Sequence, residues 1–148
     1  MKEDGLRVRS WRVFSSLFSC LALLAAVALG SRPEDLAVAS PELREAIRSA
    51  TAGDYTLALG RFSALLSKDA ENPQLLYYVG LCHLFRGETR PAVSFFERSI
   101  SQDPPFPEVY YWAARAYRSS NEPHKAGKCV EDGLKRFPRN KKLLSLKE

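Results

Sequence analysis

Side chains able to do chemistry are few in this chain, and they are scattered. The two histidines, His83 and His124, have no neighbouring nucleophile or metal ligand, and neither lies in an HExxH frame. No GxSxG or phosphate-binding GxxxxGK[ST] occurs, and acids such as Glu97 and Asp103 have no partner that spacing would identify. Three cysteines, Cys20, Cys82 and Cys129, make no CxxC pair and no zinc-like spacing. Catalysis therefore has no constellation to rest on, and neither a metal nor a cofactor is implied. Cys82 and Cys129 read as free, packed thiols.

Charge is the next possible source of function. Residues 124 to 148 hold eight Lys or Arg against three acids, and this end alone matches the formal net charge of +5. Such a run can be the solvated face of a last helix, whose dipole it complements. It can also meet anionic lipid headgroups or an acidic partner. Leu143, Leu144 and Leu146 interrupt the run and read as buried contacts, which favours the solvated face.

The other end is different in kind. Lys2, Arg7, Arg9 and Arg12 precede Val13 to Gly30, a run with no charge. A basic lead before an apolar run predicts export, with the C-terminal part across the membrane. Small residues at Ala26-Val27-Ala28 and Ala28-Leu29-Gly30 suit cleavage as a signal peptide. The full run also just reaches the length of a membrane span. Residues 1 to 30 are thus a signal peptide or a membrane anchor, forming one apolar N-terminal helix, and residues 31 to 39 are a polar linker.

The rest has to build the elements. A chain of 148 residues, 45% hydrophobic and 26% charged, has the composition of a folded domain. Ser40 and Pro41 predict a helix start, Leu43, Ala46, Ile47 and Ala50 give it one apolar stripe, and Gly53-Asp54 stops it. A second helix begins near Tyr55 and carries Ala58 and Phe62. Asn72-Pro73 repeats the start signal, and the stretch to Pro107 orders Gly80, Gly87, Ala92, Phe96 and Pro104. When the chain is shifted by 34 residues, Ala92 falls on Ala58 and Ala126, and Phe96 falls on Phe62 and Val130.

This order and period resemble the tetratricopeptide repeat (TPR) family, whose helix pairs carry W-x2-L-G-x2-Y, then A-x3-F, then P. The resemblance implies an all-α, right-handed superhelical stack of three helix pairs. Residues 40–72 form a degenerate first repeat, 73–106 the second and 107–138 the third, with 139–148 as a capping helix. Gly80, Ala58, Phe62, Ala92, Phe96, Ala126, Val130, Pro104 and Pro138 then become scaffold packing residues. Asn121 stands where the family has its turn glycine.

First helices of such pairs line a concave groove. By position this implies Leu43 and Ile47, then Tyr77, Leu81 and Leu84, then Tyr111, Arg115 and Arg118, an apolar and aromatic wall with a basic end. The Lys and Asn clamp with which some members hold chaperone C-termini is replaced by Tyr77 and Leu81, and by Tyr111 and Arg115. Basic residues do not recur once per repeat, so no nucleic-acid partner is expected. The resemblance implies a non-enzymatic interaction module, binding a peptide or partner helix, exported and either soluble or membrane-associated through residues 13–30. The alternative is a self-associating repeat protein forming a homo-oligomer.

Overall fold

The computed structural model describes residues 40 to 147. The expected apolar N-terminal helix, its signal or anchor role and the linker lie outside the described residues. Seven helices follow one another with no strand among the described residues: α1 (Pro41–Thr51), α2 (Tyr55–Leu66), α3 (Pro73–Phe85), α4 (Thr89–Ser101), α5 (Glu108–Ser119), α6 (Pro123–Arg136) and α7 (Lys141–Leu144). None of these is long and apolar enough to cross a membrane.

Local chemistry sets the boundaries. Asn72 accepts from the backbone N–H groups of Gln74 and Leu75, both at 3.1 Å, and Pro73 follows in the first turn where no N–H is needed. Asp54 accepts from Leu57 N–H at 3.0 Å and starts α2 in the same way. The tight turns inside the three pairs need a left-handed residue, supplied by Gly53 (φ 84°), Gly87 (φ 81°) and Asn121 (φ 60°). Asparagine visits that region more readily than other residues with a Cβ, which is why it substitutes for glycine in the third turn.

Helices α1 and α2, α3 and α4, and α5 and α6 pack as pairs; α2 lies on α3, α4 on α5, and α6 on α7. The small and large residues of the repeat frame interlock. Ala58, Ala92, Phe62 and Phe96 are fully buried, and Ala126 and Val130 nearly so. A Cβ built on Gly80 would stand 2.7 Å from Cε1 of Phe96, so the Phe96 ring occupies space that only glycine leaves. Burial of one such ring stabilises the fold by roughly 1.5–3 kcal/mol. The Ser99 hydroxyl, itself buried, donates to the Pro73 carbonyl at 2.7 Å and ties the second helix of the pair to the start of the first.

Three expectations need correction. Pro104 is buried as scaffold, but Pro138 is exposed; it follows the end of α6 without packing. The capping helix is one turn, Lys141–Leu144, and starts at residue 141 instead of 139 because Asn140 caps it by accepting from Leu143 N–H at 3.0 Å. Leu143 is fully buried and lies against Gly133, whereas Leu144 is 44% exposed.

Candidate functional site

The helix α3 is apolar around its whole circumference, and every residue from 75 to 82 is buried. Its surface contribution is made by its last turn. Phe85, 41% exposed, stacks on Tyr55 at 5.7 Å between ring centroids and meets Trp112 edge-on at 5.4 Å. Trp112 in turn is T-shaped to Tyr111 at 5.4 Å. Arg115 lies 4.9 Å from the Trp112 ring centroid and 5.7 Å from that of Tyr111, and donates to the Tyr111 hydroxyl at 3.4 Å. One strip of four rings thus crosses from α2 through α3 to α5 and ends on an exposed guanidinium. A cation over an aromatic face adds about 0.5–1 kcal/mol at an exposed site. It also fixes the direction of both groups.

Support for the strip comes from below. Tyr77 is buried, with its ring 5.4 Å from Tyr78, 6.2 Å from Phe96 and 5.3 Å from Phe106. Its hydroxyl is hydrogen-bonded to the Trp112 side chain, and burial pushes its pKa well above the ordinary tyrosine value. An indole N–H only donates, so the Tyr77 oxygen accepts this bond and holds Trp112 in place.

The sequence-predicted wall is therefore divided. Tyr77 and Leu81 are buried and present no surface; Ile47 is buried as well. Leu43, Leu84 and Tyr111 are half-buried, and Arg115 and Arg118 are exposed. Arg118 is engaged, since its guanidinium donates to the Leu146 carbonyl beyond α7. The structure brings Tyr111 and Arg115 together and adds Tyr55, Phe85 and Trp112. Those three occupy non-equivalent places in the repeat, so projecting one position along the 34-residue period does not find them. The aromatic types at 85 and 112 were the available signal.

A second concavity lies between α4, α5 and α6. It has a volume of about 430 Å³, with Ile100, Tyr110 and Tyr117 among its walls and Lys125, Lys128 and Cys129 along α6. Tyr117 donates its hydroxyl to Glu97 and is pushed up in pKa by burial first and by that bond second. The Cys129 thiol donates to the Tyr110 carbonyl at 3.5 Å, and burial pushes its pKa up to about 12. Cys82, also free, is likewise raised to about 12 by burial. Both remain protonated thiols near neutral pH, which is the poor-nucleophile form. His83 Nδ1 is 2.6 Å from Glu88 and its ring stacks on Phe95 at 5.3 Å, so this imidazole secures the α3–α4 turn.

Helix pairs stacked in this order also occur in solved structures. The second TPR domain of human RPAP3, in complex with an HSP70 peptide, superimposes with a TM-score of 0.66 at 17% identity, over 72% of this chain and 88% of that one. This is the tetratricopeptide-repeat fold. The Yersinia enterocolitica type III secretion translocator chaperone SycD gives a TM-score of 0.63 at 17% identity, over 82% of this chain and 89% of that one. MamA gives 0.62 at 17% identity, over 93% of this chain and 77% of its own. No protein-family model and no curated protein matches the sequence. In the TPR frame, the aromatic strip draws on the start of the second helix of repeat one, the end of the first helix of repeat two and the middle of the first helix of repeat three.

Proposed function

We propose that the chain is a non-enzymatic protein-interaction module that binds a peptide or partner helix along the strip Tyr55, Phe85, Trp112, Tyr111 and Arg115. The observation carrying this reading is Arg115, which is exposed, faces two aromatic rings and has no acidic partner among the described residues. Partly exposed aromatics beside an arginine are the residue types that dominate binding energy at protein interfaces. They suit a segment with an apolar side chain for the rings and an acidic group for the guanidinium.

RPAP3's second TPR domain holds the peptide SGPTIEEVD, and the similar fold supports a peptide as ligand class. The Lys and Asn clamp is missing here, with Tyr77 and Leu81 buried in two of its places. A chaperone C-terminus is therefore not the ligand we assign. The basic lead and the uncharged run 13–30 support action outside the cytoplasm, either free after cleavage or held at the membrane. Affinity purification of the full chain, with bound proteins quantified for wild type and Phe85→Ala/Arg115→Glu, tests the reading. Loss of a specific partner from the variant supports it, and equal recovery by a folded variant removes it.

A further inference from the structure

We propose that the C-terminal cap of the stack is a separate membrane-contacting surface, seating anionic lipid headgroups on Arg139, Lys141, Lys142 and Lys147 around the exposed side chain of Leu144. It does not depend on the aromatic strip.

The density of unpaired charge marks this segment. Of the four Lys and Arg on α6, three are paired locally, Lys125 with Glu122 at 2.5 Å, Lys135 with Asp132 at 2.8 Å and Arg136 with Asp103 at 2.6 Å, and Lys128 makes no ion pair among the described residues. The four cap cations are all exposed and make no ion pair among the described residues, and no acid lies between 139 and 147. Four like charges within nine residues, unpaired among the described residues and followed in sequence by the single acid Glu148, repel one another unless anions approach. The repulsion is not relieved by disorder, because the segment is fixed. Leu143 is fully buried beside Gly133, Asn140 caps α7, and Arg118 holds the Leu146 carbonyl.

Leu144 decides which anion source fits. It is the one large apolar side chain of the cap that is exposed by more than a third, at 44%. A stable protein interface needs about 800 Å² per partner with a core depleted in lysine, and one leucine among four cations does not provide that. A headgroup layer asks for less: unpaired cations, each contributing about one order-of-magnitude step or less, and a small apolar group reaching the acyl boundary. Attachment of this weak kind becomes stable with a second signal, and the sequence holds one in the uncharged run 13–30.

The test compares full-chain protein on vesicles of phosphatidylcholine alone and with about 30 mol % phosphatidylglycerol, at the lipid concentration that binds half of the wild type. The ratio of the two partition coefficients cancels any charge-independent insertion. Lys141→Gln/Lys142→Gln should lower that ratio roughly thirtyfold, as expected for two surface charges. About 0.5 M salt should collapse the wild-type ratio. Both side chains are exposed, and circular dichroism confirms that the variant is folded. An unchanged ratio overturns the proposal. So does a variant that keeps the vesicle ratio but loses binding to a fluorescent poly-glutamate peptide, since the surface would then belong to an acidic protein.

Discussion

Arg115 and Trp112 face each other at 4.9 Å across the outer surface of α5, with the guanidinium over the indole. The pair joins the basic end that the repeat spacing implies to an indole, Trp112, that the spacing does not place on the wall. Because Trp112 also reaches the buried Tyr77 hydroxyl, the exposed charge is positioned from inside the stack. Residues with different accessibility thus act on one surface.

Gly80→Ala should destabilise the protein by about 1–3 kcal/mol, since its Cβ would press into the Phe96 ring. Phe96→Ala alone should cost about 3–5 kcal/mol. The double variant should lose clearly less than the sum of the two, because the ring that makes alanine costly is gone. Urea denaturation of the three variants measures this coupling.

Gly87→Ala should cost about 1–2 kcal/mol, because its left-handed backbone at φ 81° strains any residue with a Cβ. Nothing lies within 4 Å of the added carbon, so the penalty is conformational and not steric crowding. Equilibrium unfolding should show it without a change in the slope on denaturant.

Much of this scaffold is legible in the sequence. Cap residues, turn glycines and the alternation of Ala and Phe at fixed period are local signals, and local signals survive in a single sequence. The strip was not legible in the same way. It joins Tyr55, Phe85 and Trp112 from three different repeat positions, and only tertiary packing brings them together. Its position in the helix puts Tyr77 on the wall, but Phe106 from the following loop and Tyr78 beside it enclose its ring. Helical spacing predicts a buried Leu144, and a single-turn α7 does not sustain that spacing.

Acid should weaken the second repeat through Glu88. The hydrogen bond to His83 is the main cause that lowers its pKa, with Arg86 adding to it. A carboxylate whose folded pKa is lowered stabilises the fold fully above its unfolded value and loses that contribution as pH falls through the folded value. Wild type should therefore lose more stability than Glu88→Gln between about pH 5 and about pH 3. Urea midpoints measured across that range check the difference; identical slopes would remove Glu88 as the cause.

Cys82 and Cys129 should alkylate slowly in the native protein. Burial holds both thiols up to about 12 and keeps their thiolate fraction low at pH 8. Iodoacetamide labelling followed by peptide mass spectrometry should show both sites modified quickly in urea and hardly at all without it. Fast native labelling of either would contradict the packing described.

The surface assignment is tested most directly by Arg115→Glu in the full chain. This change reverses the charge at the end of the strip, where the side chain is exposed, and should leave the melting temperature within a few degrees of wild type. Recovery of the bound partner should fall at least about tenfold, the loss expected when an arginine that carries binding energy is reversed in charge. Undiminished recovery by the folded variant would contradict the claim that this strip is where the protein meets its partner.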